Sequence, residues 1–481
     1  MSQLTPSQVD LIASQVVQSL RLPGHSNIKT RPVETVGAAP GRGVFVDLNR
    51  AVKAATQAQR QLMAMPLVKR EEILRSIRAF MFQHAEELAQ QAHAETGLGR
   101  VADKIAKNRL VTEKTPGTEA LVPQVKTGDR GLTLTELAPV GVIGAITPCT
   151  NPTSTIICNT IGMLAAGNAV VFNVHPAAKK VSIHNVELLN RAITEVGGPE
   201  NLVVTLAEPT IASAQELMLH PEINLLVVTG GGEVVKAAMT SGKRAICAGP
   251  GNPPVVVDES ADLEHAARCI VQGGSMDNNI ICVVEKEIFV VEAVADRLQA
   301  AFTRHHAVVL KPHEIERLEK VIFKEIFGTR QPGIINKAFI GKDVQVILSK
   351  IGLAVEDHVR LAIAPVPLGH PLVWTEQMMP IVPLVRLPNV GQAIDMAKEA
   401  EHGFGHTAIM HSKNLDNLSS MAREMDCSIF VKNGPSLAGL GYGGEGHCSF
   451  TIASPTGEGL TDARSFTRER RCVLVDHFRI V

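Results

Sequence analysis

Aromatic residues are scarce: they make up 3% of the 481 positions, with a single tryptophan, Trp374, and a single tyrosine, Tyr442. Surfaces that stack bases or sugar rings are built from such side chains, so this shortage disfavours them. Net charge is also lacking. Lys and Arg number 47 against 48 Asp and Glu, which leaves −1 and no field to gather nucleic acid or an anionic membrane. No apolar run approaches the ~20 residues that span a bilayer. The first residues hold no basic segment leading into an apolar core, so no secretory signal is expected. Among the eight cysteines there is no C-x-x-C pair, and no Cys/His spacing fits zinc. No metal, nucleic-acid or membrane partner is therefore expected, and scattered thiols of this kind suit a reducing cytoplasm. Repeats and low-complexity segments are absent too.

What is present is a long, ordinary globular composition. With 45% hydrophobic and 20% charged residues, the length implies two or three domains. Residues 4–22 read as a separate amphipathic helix. Thr5, Pro6 and Gln8 supply a capping box and a first-turn proline, and Val9, Ile12, Val16 and Leu20 share one stripe. Such a helix, followed by a Pro/Gly-punctuated linker over 23–42, buries its apolar face on a partner or on its own globular body. Residues 47–113 read as helices, with 69–94 as one long amphipathic segment. Residues 121–137 read as a hairpin around Gly128 and Gly131.

From Val140 the pattern becomes strand, loop, helix, repeated. Strands are expected at 140–146, 169–173, 202–205, 225–229 and 244–247, with helices at 152–166, 178–196, 210–219 and 232–240. A second series, after the Gly/Pro cluster at 249–254, places strands at 255–258, 286–291, 381–386, 406–410 and 428–431. Alternation of this kind predicts an α/β fold with parallel sheets covered by helices.

Several short stretches could carry chemistry. In 273–287, Cys282 follows a Gly-led polar run of Asp277, Asn278 and Asn279 and precedes an apolar, strand-like run. A reachable, electrostatically tuned thiolate fits that place, and so does a small buried core residue. The strand at 225–229 enters Gly230, Gly231 and Gly232 before a helix, which is either a phosphate-binding turn or a plain tight turn. Asn151, just before Pro152, could donate to an oxyanion or cap the helix. Glu376 could accept from a ribose or stand as a solvated carboxylate. His402 and His406 are acid/base candidates or satisfied loop and core histidines. Lys179 and Lys180 read as a helix-surface pair, and Arg464, Arg468, Arg470 and Arg471 as a surface or subunit contact. Trp374 and Met379 line a pocket or pack in a core.

Taken in order, the strings PVGVIGAITPCTNPT, LAAGNAVVFNVHPAAKK, AGPGNPPVVVDESADL, DNNIIC, HTAIMHS, SIFVKNGPS and GGEGHCSFTIASPTGEG resemble the aldehyde dehydrogenase superfamily. More narrowly, they resemble the coenzyme-A-acylating propionaldehyde and acetaldehyde dehydrogenases of bacterial microcompartments. The resemblance runs from about residue 40 to the end.

It implies that Cys282 is the nucleophile and that Asn151, with the Cys282 backbone N–H, forms the oxyanion hole. It also implies that Gly230 and Gly231 lie beside the cofactor pyrophosphate and that Glu376 binds the nicotinamide ribose. Thr147, Pro148 and Gly249 complete the expected cofactor-binding set. The implied fold has a Rossmann-type cofactor domain (43–120 and 138–250), an α/β catalytic domain (251–440) and an oligomerisation element (121–137 and 459–481). A homodimer or homotetramer is expected.

Two departures matter. Hydrolytic members open the CAGPGNP-like motif with a glutamate that activates water, where this chain has Cys247. A thiol is a poor base for that task. Asn173 stands where hydrolytic members carry a lysine facing the adenosine ribose, which leaves NAD favoured but NADP not excluded. The resemblance thus implies oxidation of a short aldehyde, propanal before acetaldehyde, to its coenzyme A thioester, with coenzyme A as co-substrate. It also implies that residues 1–22 bind microcompartment shell proteins, placing the enzyme in the cytoplasm inside such a compartment. The rival readings are a hydrolytic enzyme that releases the free acid and a mainly shell-binding homologue.

Overall fold

The computed structural model describes residues 43–481, so the expected helix at 4–22 and linker at 23–42 lie outside the described residues. The first half contributes the strands β1 (Val44–Phe45), β2 (Gln124–Gly128), β3 (Gly131–Pro139), β4 (Val142–Ile146), β5 (Ala169–Asn173), β6 (Val203–Leu206), β7 (Leu225–Thr229) and β8 (Ala245–Ala248). All but β2 and β3 join one parallel sheet in the order β1-β6-β5-β4-β7-β8. Every residue of β4, β5 and β6 is buried. Such continuous apolar runs belong to strands covered on both faces.

From β6 to β8 the order, counted along the chain, is 3-2-1-4-5, that of a dinucleotide-binding sheet. Its direction reverses between β4 and β7, where Ile146 lies opposite Val228. A crevice opens at the carboxyl ends of strands at such a reversal.

The second half contributes β9 (Pro254–Val257), β10 (Glu287–Val291), β11 (Ala307–Val309), β12 (Phe323–Glu325), β13 (Ile334–Ile335), β14 (Leu361–Pro365), β15 (Ile381–Leu387), β16 (Thr407–His411), β17 (Ile429–Lys432), β18 (Ile452–Ala453), β19 (Gly459–Leu460) and β20 (Thr467–Val475). Seven of them form a second parallel sheet, β11-β14-β15-β10-β9-β16-β17. Its five principal strands fall within a residue or two of expectation. The inner strand β14 and the edge strand β11 were not anticipated, because three apolar residues (AVV) or a run ending in proline carry little periodic signal.

The hairpin at 121–137 forms as β2 and β3, and β20 adds antiparallel to β3, from Thr467 opposite Pro139 to Val475 opposite Gly131. Eight of the nine β20 residues are exposed, as are all five of β2.

One helix expectation needs correction. Residues 69–94 are not a single segment but two helices, Leu67–Gln83 and Ala85–Thr96, broken at His84. The His84 ring bonds Glu87 Oε2 at 2.7 Å. Glu86 and Glu87 then favour the new helix N-terminus electrostatically.

Candidate active site

The loop after β4 carries Thr147, Pro148 and Asn151 into the helix Pro152–Ala165. Every residue of that helix is buried, its uncharged Thr, Ser and Asn side chains included. Asn151 occupies the N-cap position, but its side chain caps nothing. Instead its Oδ1 accepts from Lys107 Nζ at 2.6 Å, and one amide N–H reaches Thr150 Oγ1 at 3.2 Å. Lysine can only donate, so the carbonyl end faces Lys107 and the second amide N–H is left for an incoming oxygen.

The stretch before Cys282 differs from the expected polar loop. Asp277, Asn278 and Asn279 are buried, and all three have left-handed backbone, with φ of 49°, 55° and 66°. Asp and Asn tolerate that region best among residues with a side chain. Their polar groups are spent on the fold. Asn278 Nδ2 donates to Gly341 O and Asp343 Oδ1, both at 2.9 Å. Asn279 Nδ2 donates to Gly274 O at 2.7 Å and Glu285 O at 2.9 Å. Lys286, wholly buried, donates to Asn279 O at 2.6 Å and Oδ1 at 2.7 Å. The strand-like run after Cys282 is turn until β10 begins at Glu287.

Cys282 keeps some exposed surface as a residue, yet protein packs closely around its sulfur. Burial, and then the Glu376 carboxylate, push the thiol up to about 12, against the pull of Lys286 and Lys107. In the ligand-free protein these surroundings favour the protonated thiol. Glu376 is itself raised by burial, opposed by Lys286 and by the nearby Gly251 N–H. Gly251 lies hard against the nucleophile loop, because a Cβ there would meet Cys282 O at 2.8 Å and His406 Cγ at 3.0 Å. Only a glycine allows this approach.

His406 is buried, with its Nε2 unpartnered, and burial lowers it to about 4. Its Nδ1 pairs with Thr407 Oγ1 at 2.9 Å, so the neutral ring is satisfied on one side only, and it shares the close approach of Gly251 with the Cys282 carbonyl. His402 is the satisfied one, bonded to Trp374 O at 2.9 Å. Trp374 and Met379 sit in the core.

The other expected cofactor residues gather at the reversal point of the first sheet. Thr147 is buried and its Oγ1 has no partner. Gly230 follows β7, and its N–H donates to Ala248 O at 3.1 Å, which places this turn beside Gly249. The helix Gly232–Met239 starts with no side-chain cap, and the space around Gly231 and Gly232 is open. An orphaned hydroxyl, uncapped helix N–H groups and open backbone suit a pyrophosphate. Together with Glu376, these residues fit a dinucleotide. Asn173 is engaged with Ser213 Oγ at 2.6 Å and Thr210 O at 3.3 Å. Among the described residues, no group of His, Cys, Asp and Glu is placed to hold a metal ion, and no helix is long and apolar enough to cross a membrane.

The two sheets meet the site from opposite ends. The first presents the carboxyl ends of β4, β7 and β8. The second presents the amino ends of β9, β10, β15 and β16, which follow Gly251, Cys282, Glu376 and His406. Cys247 lies within β8, fully buried, with its thiol pushed up to about 11 by burial and by Glu458. Lys179 pairs with Glu208 at the surface, and Arg464 with Asp462 at 2.9 Å, so neither joins the site.

Sequence reasoning missed Lys104 and Lys107. Both lie on the helix Val101–Lys114, and with Asn108 and Val111 they form its buried stripe at i, i+3, i+4 and i+7. A lysine pair on the stripe that should face the core was the available signal. Burial lowers Lys107 to about 8, against the pull of Asp277.

The aldehyde dehydrogenase family model matches residues 30–317. The acetaldehyde dehydrogenase (acetylating) EutE of Salmonella typhimurium is 53% identical over 440 residues, which cover 91% of this chain and 94% of that protein. A Rhodopseudomonas palustris propionaldehyde dehydrogenase, solved with bound coenzyme A and an acylated cysteine, matches with a TM-score of 0.88 at 47% identity, covering 90% of this chain and 98% of that one. A propionaldehyde dehydrogenase from the Clostridium phytofermentans fucose utilisation bacterial microcompartment matches with a TM-score of 0.88 at 46% identity, covering 91% and 100%. Its sheets, its strand order and these matches along most of its length agree: the chain belongs to the aldehyde dehydrogenase family.

Proposed function

We propose that this chain oxidises a short aliphatic aldehyde, propanal or acetaldehyde, to its coenzyme A thioester with NAD+ as oxidant. The Cys282 thiolate adds to the aldehyde carbon to form a thiohemiacetal. The free Asn151 N–H and the Cys282 backbone N–H stabilise the alkoxide. NAD+, when bound, supplies the hydride acceptor, and Thr147, Pro148, Gly230, Gly231, Gly249 and Glu376 hold it. The acyl thioester left on Cys282 passes to the thiol of coenzyme A, and the Cys282 sulfur is released.

The observation that carries this reading is Cys247. A buried thiol pushed up to about 11 stays protonated near neutral pH and takes no proton from water. The base that the resemblance assigns to hydrolysis is thus missing from this chain, which leaves the acyl-enzyme for a second thiol. Omitting coenzyme A is expected to limit NADH to a burst of about one per active site, and adding it restores steady turnover. Full turnover without coenzyme A, with release of the free acid, would instead support the hydrolytic rival.

The ribbon of β2, β3 and β20 serves assembly. Val473, Leu474 and Val475 are exposed at 56%, 42% and 60%, and a long exposed edge of this kind is a template for a second chain. Leu474→Asp is expected to shift the protein to a smaller species in sedimentation. An unchanged dimer or tetramer would assign assembly to another surface.

The helix expected at residues 4–22 directs the protein to shell proteins inside a bacterial microcompartment. Its amphipathic stripe supports this, as does the microcompartment origin of the Clostridium phytofermentans relative. A reporter carrying residues 1–22 is expected to co-purify with shells, and a reporter left wholly outside them would remove targeting from this segment.

A further inference from the structure

We infer that Lys107 and Asp277 are positioning residues that aim the Asn151 amide and lock it to the Cys282 loop. The inference rests on the reaction proposed above and adds residues to its machinery. Lys107 Nζ donates to Asn151 Oδ1 at 2.6 Å and to Asp277 Oδ2, and the side chains of Lys107 and Asp277 are almost wholly excluded from solvent. An asparagine can turn its amide end for end. With an ammonium, which only donates, against one side, only one orientation keeps the hydrogen bond. A cation on the carbonyl oxygen also draws density from the amide and strengthens its N–H as a donor.

Asp277 links this to the nucleophile. Its Oδ1 accepts from the Arg100 N–H at 2.7 Å, and its Oδ2 also accepts from Lys104 at 3.0 Å. Its own N–H donates to Asp103 Oδ2 at 2.9 Å, and Arg360 pairs with that same oxygen at 2.9 Å. A Cβ on Gly99 would overlap Asp277 Oδ1, so the backbone there has no side chain to keep the carboxylate away. One carboxylate thus fixes the left-handed turn that leads to Cys282 and the ammonium that orients Asn151. Nucleophile and oxyanion donor come from different sheets, and this bridge gives them a common frame.

The test is a double-mutant cycle on the NADH burst, read with aldehyde and NAD+ alone. The burst does not depend on coenzyme A, so it judges Lys107 whether the acyl group later goes to a thiol or to water. Lys107→Met is expected to slow the burst about 100-fold, the scale of losing an oxyanion donor. The kcat/KM for coenzyme A, measured in steady state, should stay within about twofold of the wild type, since in a ping-pong order it reads only the later step. In an Asn151→Ala background the same change is expected to slow the burst less than about threefold, because the residue acts through Asn151. Asp277→Asn, which keeps the shape, carries the same cycle if Lys107→Met does not fold. Equal factors in both backgrounds, or an unchanged burst in either single variant, would overturn the inference.

Discussion

Cys282→Ala is expected to lose aldehyde oxidation by at least about 10⁴-fold, the scale seen when a covalent nucleophile is removed. No acyl adduct should then appear in the intact mass after aldehyde and NAD+ are mixed. The same residue has a distinctive titration. Its thiol is pushed up to about 12 by burial and by Glu376, so in the ligand-free protein the thiolate fraction rises about tenfold per pH unit well below that value. Iodoacetamide labelling of the Cys282 peptide should climb by that factor from pH 7 to 8 and again to 9. Glu376→Gln removes the carboxylate that raises the thiol, so labelling at a given pH should be faster. A plateau below pH 9 would mean that the resting site already holds a thiolate, and the mechanism would then need no ligand-induced activation.

Asp277→Ala carries the largest expected stability effect, a loss of about 3–5 kcal/mol in chemical denaturation, as for a buried pair robbed of one partner. Lys104 and Lys107, with side chains 3% exposed, would be left without their shared anion. The pH dependence has a definite sign. Lys107 is already lowered in the folded protein to about 8, and removing Asp277 lowers it further. Between the folded value and the ordinary lysine value the unfolded chain binds more protons, so stability rises with pH in that window. The deficit should therefore be larger at pH 7 than at pH 9.5. A deficit under about 1 kcal/mol would show that water enters and solvates the two ammoniums.

The alternation of apolar runs with helical stripes was enough to place β5 and β7 at their observed bounds and β4, β6 and β8 within two residues, while the two-residue edge strand β1 was not anticipated. Parallel strands buried on both faces read as continuous apolar runs, and glycines mark where each one stops. The three-residue β11 carries too few residues for that signal, and β14, though as long as β5, runs into a proline that reads as a break. The helix break at His84 was also hidden, because charged and apolar residues keep their helical spacing across it.

Local pattern also singled out Cys282, Asn151, Glu376 and the Gly230–Gly231 turn as candidates. It left each of them with a bland alternative, because a loop residue's neighbours in space are not its neighbours in the chain. The tertiary structure decided those environments. Asn151 Oδ1 meets a lysine 44 residues away, and that lysine meets Asp277 a further 170 residues along. His406 and Gly251 come against Cys282 only when β9, β10 and β16 align. The direction of the Cys282 titration followed the same rule. The sequence by itself determined most strands of the two sheets and the residue types at their ends, since periodicity and turn chemistry are local. Which of those side chains are buried, charged or left unpartnered depends on desolvation and on contacts between distant segments, and these exist only once both sheets have closed on the site.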